Sequence, residues 1–372
     1  MKQTVEDELL SLLRCELCGQ EVPSTSYTPE EFKVLIRMAR EQAVSALVAE
    51  CLMKHNVKVN DDGAMEIMAI LVSHQRHAAQ MDGHVATLAT LLNTHHIPYA
   101  VFKGQVAARY YDRSYLRSTG DVDFYVPPVY YEQAKEVVGR EMGVTIADDH
   151  LDKHCEFAFG GTRFEMHHRV ETFGSARHQR RFDTLALGDV TVHRVTTQTI
   201  GGAQVAVFSP LVDILVIFKH LFNHLLVEGV GLRQVCDLML MLRRYRGAYS
   251  VSELAAALHQ IGYYKAFLAM GAFMVRHLGM AEADLPMAIP TKYHLWGDRI
   301  KDEILSGGNF GKYGRTYRHP GKLKSLETAS MALRHCLWLM PLAPIDVLCL
   351  IPKRIRISFS KYVWGLNPYF LL

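Results

Sequence analysis

The chain lacks a long uninterrupted apolar run, a paired set of cysteine motifs and any strong excess of one charge. Its longest apolar stretch, residues 336–352, is interrupted by Pro341, Pro344, Asp346 and Pro352, too short and too broken for a membrane-spanning helix. Seven cysteines (Cys15, Cys18, Cys51, Cys155, Cys236, Cys336 and Cys349) are odd in number and scattered. That argues against a disulfide framework, and with no signal-peptide pattern at the start it predicts reduced thiols and a cytoplasmic location. Cys15-x-x-Cys18 has no second C-x-x-C to complete four ligands. It is read as two semi-buried thiols near a helix end, in preference to half a zinc knuckle or a redox pair. A formal charge of +3 over 372 residues gives no global attraction to nucleic acid, and the sequence shows no internal repeat and no low-complexity run.

What is present is an ordinary globular composition, 49% hydrophobic and 21% charged, enough for one large or two medium domains with a sizeable core. The charge is unevenly spread. Residues 311–372 carry ten Lys/Arg against Glu327 and Asp346, a local +8, which leaves 31 basic and 36 acidic residues, or −5, on the rest. The tail is therefore a candidate for anionic partners. Trp338, Leu339, Val347, Leu348, Leu350 and Ile351 beside Lys353-Arg354-Ile355-Arg356 form either a contact with an anionic membrane or a docked helix with a solvated basic end, the second slightly favoured.

Hydrophobic periodicity divides the chain into four parts: a helical region at 1–95, a mixed sheet domain at 96–208, a helical domain at 209–310 and the basic tail at 311–372. Helices are expected at 5–13, at 28–53 behind the capping box Thr28-Pro29-Glu30-Glu31, and at 61–93. The period then changes. A short strand at 99–102 leads through Lys103-Gly104 into a helix at 105–111, followed by a strand at 121–126 and a helix at 132–141. Gly160-Gly161 joins strands 155–159 and 162–167, and Gly201-Gly202 joins 190–195 to 204–208; adjacent glycines between alternating runs mark hairpins. Further helices are expected at 211–226, 232–243, 251–258, 263–278 and 298–305. The fold class is α+β, a small mixed sheet packed between N-terminal helices and a C-terminal helical domain.

The chemistry concentrates in the sheet. Asp121 and Asp123, two residues apart in an apolar strand, point the same way, because side chains alternate faces. Two adjacent carboxylates repel, so a site holding both ionised includes a cation. Glu165, flanked by Phe164 and Met166, shares a strand face with His167. If that strand pairs beside 121–126, three carboxylates converge, a donor set suited to Mg²⁺ (or Mn²⁺). Lys103-Gly104 lies where a strand enters a helix, a place where phosphate approaches backbone amides. His167 is assigned to substrate contact or to orienting the acid. His150, His154 and His168 show no four-ligand spacing and are read as solvated or outer-sphere imidazoles. His220, His224 and Asp237 either line a cleft between helices and sheet or form a buried hydrogen-bonded cluster, the latter favoured.

Val101-Phe102-Lys103-Gly104, Arg117, Gly120-Asp121-Val122-Asp123 and Glu165-Met166-His167 together resemble the uncharacterised bacterial nucleotidyltransferase family of the DNA polymerase β-like superfamily, over roughly residues 30–310. The resemblance implies that Asp121 and Asp123 hold two metal ions on a nucleoside triphosphate and that Glu165 completes the site as ligand and base. It also implies that Arg117 neutralises phosphate charge, a surface salt bridge being the equal alternative. The superfamily loop is usually Gly-Ser or Gly-Gly; Lys-Gly followed by Gln105 predicts a phosphate grip through the lysine ammonium. The implied reaction moves a nucleoside monophosphate to an acceptor hydroxyl on a small molecule, protein or RNA. The competing expectation is a weak or inactive nucleotide-binding interaction protein.

Overall fold

The computed structural model describes residues 2–148, 154–192, 194–227, 229–309, 330 and 333–352. At the N-terminal end come α1 (Lys2–Cys18), α2 (Pro29–Glu41), α3 (Ser45–Lys54) and the long α4 (Asp61–Thr94). The Thr28 capping box is present, with Thr28 Oγ1 accepting from the Glu31 amide and Glu31 accepting from the Thr28 amide. The single helix expected over 28–53 is two. At the break Ala43 adopts a left-handed φ of 57°. The buried Gln42 amide there donates to the Ile304 carbonyl at 2.8 Å and accepts from the Leu232 amide at 3.0 Å. Tertiary hydrogen bonds outweigh local helix propensity at this point.

The sheet comprises β1 (Ala100–Phe102), β2 (Val122–Tyr125), β3 (Ala147–Asp148), β4 (His154–Phe159), β5 (Thr162–His167), β6 (Thr196–Ile200) and β7 (Ala203–Val207), interrupted by α5 (Gly104–Ala108), α6 (Tyr131–Glu141) and α7 (Ala176–Thr191). Its order is β3-β4-β5-β2-β1-β7-β6. The β2–β5 and β1–β7 pairs are parallel and the others antiparallel. Both Gly-Gly turns carry positive φ at each glycine, 56° and 81° at Gly160-Gly161 and 56° and 83° at Gly201-Gly202, the backbone that a tight hairpin requires. The second hairpin starts later than expected: α7 runs on through Val190 to Thr191, and the strand begins at Thr196. That helix went unassigned in the sequence, although Ser175 caps it and Phe182, Ala186 and Val190 form a buried stripe at four-residue steps.

Alternation gives the sheet two different faces. Val101, Val122, Phe124, Phe164, Met166 and Val205 pack against Met81, Val85 and Leu88 of α4 and Val137 and Val138 of α6. On the opposite face Phe102, Tyr125 and Phe208 join a larger core shared by the N-terminal helices and by α8 (Pro210–Val227), α9 (Leu232–Arg244), α10 (Val251–Gln260), α11 (Tyr264–Leu278) and α12 (His294–Gly307). The helices flanking the sheet in sequence therefore build one body. Each large apolar side chain fully buried there contributes about 1.5–3 kcal/mol. Helix α8 is long and apolar enough to cross a membrane, yet two-thirds of it is interior to this fold. Cys336, Leu339, Leu342, Ala343 and Val347 of the C-terminal stretch are buried in the same core, and Asp346 Oδ1 accepts from the Gly174 amide at 2.8 Å. The basic cluster from Lys353 onward lies outside the described residues.

Candidate active site

Strand pairing is what assembles the acids. In the parallel β2–β5 ladder Asp123 lies opposite Glu165, and Tyr125 opposite His167. Because Val122, Phe124, Phe164 and Met166 take the α4 side, Asp123, Glu165 and His167 face the helical body. Asp121 precedes the strand on a loop held from three sides. Arg233 Nη1 donates to the Ser118 carbonyl at 2.7 Å, His77 Nε2 lies 3.3 Å from the Thr119 carbonyl, and Ser118 Oγ donates to the Ala43 carbonyl at 3.2 Å.

The inner part of the patch is buried. Lys103 Nζ is 3.1 Å from Asp123 Oδ1 and 3.7 Å from Glu171 Oε1. His167 Nε2 reaches Asp123 Oδ1 at 3.0 Å and Glu165 Oε2 at 3.3 Å. Burial pushes the Asp123 carboxyl up, but the Lys103 ammonium and the His167 bond overcome it and hold the group well below the carboxylate range. At Glu165, burial is likewise outweighed, here by the His167 bond, so this acid too is lowered. For Lys103, desolvation opposes the charge, yet Asp123, Glu171 and Glu165 raise its pKa on balance. All three are therefore charged at neutral pH.

The outer part is open to solvent. Arg163 Nη2 donates to Asp121 Oδ2 at 2.5 Å and lies 3.5 Å from Glu165 Oε1. Asp121 and Arg163 keep 38% and 53% of their side-chain surface exposed. Arg163 was missed in the sequence although alternation sets it on the face of Glu165 and His167. Glu171 was missed as well. It lies beyond β5, where strand periodicity has ended, and only the tertiary fold turns it back toward Lys103.

The Lys103-Gly104 loop departs from expectation. Lys103 has φ 59° and ψ −135°, a region that favours glycine and costs a residue with a side chain roughly 1–3 kcal/mol. Its ammonium turns inward to Asp123, and the helix after it spans only Gly104–Ala108. Gly104 has a packing role: a Cβ there would come within 3.3 Å of the Asp121 carbonyl oxygen. The glycine lets the loop lie against the backbone of the Asp-x-Asp segment.

Arg117 is neither on the surface nor open to phosphate. Its Nε and Nη2 donate to the two oxygens of Asp237 at 2.9 and 2.8 Å, and Tyr111 adds a hydroxyl to Oδ1 at 2.8 Å. His220 and His224 form another group. His220 Nδ1 lies 3.1 Å from Glu171 Oε1 and its Nε2 lies 3.1 Å from His224 Nε2. Burial, and then the neighbouring Lys103, push His220 down to about 3. It is neutral, so the network assigns its Nδ1–H to Glu171. His154 belongs to the acid patch, its Nε2 3.2 Å from Glu156 Oε1 and 3.9 Å from Glu165 Oε2. His168 stacks edge-on with Tyr131, and His150 lies outside the described residues. Cys15 and Cys18 are not a unit. Cys15 Sγ lies 3.2 Å from His55 Nε2, whereas Cys18 Sγ donates to the Leu278 carbonyl.

Residues 28–279, most of the chain, match the sequence model of the uncharacterised nucleotidyltransferase family. The chain belongs to that family. Membership carries a general nucleotidyl-transfer role with it. A solved structure with similarity is the antigenic nucleotidyltransferase-like protein from Paracoccidioides brasiliensis, 15% identical, with a TM-score of 0.34 over 55% of this chain and 95% of its own. Among curated proteins none matches. Within this nucleotidyltransferase the patch around Asp121, Asp123 and Glu165 is the candidate active site, with Lys103, Glu171 and His167 behind it and Arg163 in front.

Proposed function

We propose that this nucleotidyltransferase uses Mg²⁺, or Mn²⁺, to move a nucleoside monophosphate from a nucleoside triphosphate to an acceptor hydroxyl. The observation that carries the reading is the register of β2 against β5, which sets Asp123 beside Glu165 on one face with Asp121 at the edge of the patch. The donor set fits a hard divalent cation. Four carboxylates (Asp121, Asp123, Glu165 and Glu171) surround Lys103 and Arg163, so negative charge exceeds the built-in positive charge, and oxygen donors suit Mg²⁺. Asp121, Asp123 and Glu165 would line the ion site, and the ion would supply electrostatic stabilisation of the attacking and leaving oxygens.

The chain's own residues do the rest. Glu165, ionised at neutral pH and steadied by His167, accepts the acceptor's proton as its oxygen bonds to the α-phosphorus. The bond from that phosphorus to the bridging oxygen breaks, and pyrophosphate leaves with the electron pair. His167 is a positioning residue, since it orients Asp123 and Glu165 together. Arg163 is an exposed cation in contact with Asp121 and Glu165 and would turn to the incoming phosphates. Arg117 serves as a strut that fixes the Asp121 loop to α9.

The test is incubation of the full chain with each α-labelled nucleoside triphosphate, Mg²⁺ or Mn²⁺ and cell extract, and then identification of the labelled species. Label transfer with metal-dependent pyrophosphate release is expected, and its loss in Asp121→Ala and Asp123→Ala with folding retained. Full activity in either variant would overturn the reading. Nucleotide binding without turnover across a broad acceptor screen would select the interaction-protein alternative.

A further inference from the structure

Metal-dependent transfer leaves one feature of the site unexplained: the strained lysine at its centre. A side chain is kept where the backbone favours glycine, at φ 59°. It is directed inward, over the Phe102 ring at 4.9 Å, to end 3.1 Å from Asp123 Oδ1 and 3.7 Å from Glu171 Oε1. Strain of this kind persists only where the surroundings over-determine it, and it concentrates at functional sites. The ammonium is held between two acids with little access to solvent. The same Asp123 oxygen also receives the His167 contact at 3.0 Å. The inner half of the acid patch therefore already holds a cation and a donor.

The outer half differs. Asp121 is paired with Arg163, and both are solvent-exposed. An exposed pair of this kind is weakly held, so Arg163 is free to swing out and leave Asp121 and Glu165 to another cation. Lys103, buried and doubly paired, has no such exit.

We propose that the Lys103 ammonium is a permanent inner counter-ion of Asp123, so that the site takes one divalent cation, at its outer edge on Asp121 and Glu165, where the family resemblance implies two. This rests on the metal-dependent function proposed for the same acids. A second divalent ion on Asp123 would share a carboxylate with a fixed positive charge in a buried setting, and like charges at that range exclude one another.

Counting metal ions tests the idea without reference to turnover. Mn²⁺ is titrated into the full-length protein, with a non-hydrolysable nucleoside triphosphate analogue present, and monitored by calorimetry and by electron paramagnetic resonance. Wild type is expected to hold one Mn²⁺ per chain in total, the ion that accompanies the analogue included. Lys103→Gly, which suits the backbone and removes the charge, is expected to take two, with a spin-coupled signal between them. Lys103→Arg keeps the charge and is expected to stay at one. Two ions in wild type overturn the counter-ion proposal and leave the metal-dependent function standing. One ion in both wild type and Lys103→Gly overturns it as well. No binding in wild type removes both. If Lys103→Gly does not fold, the wild-type count and Lys103→Met, which keeps the chain length without charge, decide between one ion and two.

Discussion

Two arginine–aspartate pairs in this molecule share one chemistry and differ in burial. Arg117–Asp237 is bidentate and almost sealed, with 5% and 3% of the side-chain surfaces exposed, while Arg163–Asp121 retains 53% and 38%. The buried pair joins the loop before β2 to α9 and receives the Tyr111 hydroxyl. Removing one member would strand a charge in the interior, so its worth is structural. The exposed pair is screened by water and is worth little to stability. Its acid borders the candidate active site, and its arginine is open to solvent. Burial, more than residue type, separates a strut from a site.

The largest expected effects come from acids on the two sides of that comparison. Asp121→Ala and Asp123→Ala should lower kcat for nucleotidyl transfer by at least about 100-fold. For Asp121→Ala the urea midpoint should remain close to wild type. Asp237→Ala should do the reverse in stability, losing about 3–5 kcal/mol in urea unfolding as Arg117 is left unpaired. If Asp121→Ala unfolds the chain, or Asp237→Ala is neutral, the assignment of roles is inverted.

Another aspartate sharpens the point, because it is buried and its partners are tyrosine hydroxyls. Asp213 on α8 accepts from the Tyr110 and Tyr245 hydroxyls at 3.1 and 3.0 Å. Burial pushes it up to about 7, against the lowering effect of the two tyrosines. A carboxyl raised above its unfolded value near 3.9 binds its proton more tightly in the folded state. The stability it contributes is complete below about pH 4 and is lost as pH rises through about 7. Stability measured by urea titration should therefore decline across that window by a few kcal/mol at most, and Asp213→Asn should flatten the slope. An unchanged slope in the variant would assign the dependence elsewhere.

Arg163→Ala is the smallest expected effect. Stability should change by less than about 1 kcal/mol, and Mn²⁺ should bind up to about fivefold more tightly once Asp121 is released. Weaker metal binding in this variant would show that Arg163 supports the ion and does not compete with it.

Several of these features were legible in the primary sequence because they rest on local rules. The Gly-Gly turns, the Thr28 capping box, and the common face of Glu165 and His167 depend on backbone sterics and two-residue alternation. Alternation was also sufficient to find Arg163. Helix α7 carried a usable stripe in Phe182, Ala186 and Val190. Other features had no local signal. The break at Ala43 exists because Gln42 is claimed by α9 and α12, and Glu171 approaches Lys103 only through the path of the chain after β5. Arg117 and Asp237 lie 120 positions apart, and nothing near either one names its partner.

Sequence by itself determined which side chains share a face, since strand and helix periods are properties of the backbone. Which charge meets which charge was decided by the tertiary structure alone. Pairing depends on burial and on approach between distant segments, and only the folded chain shows that Lys103 faces Asp123 in the interior while Arg163 faces Asp121 in water.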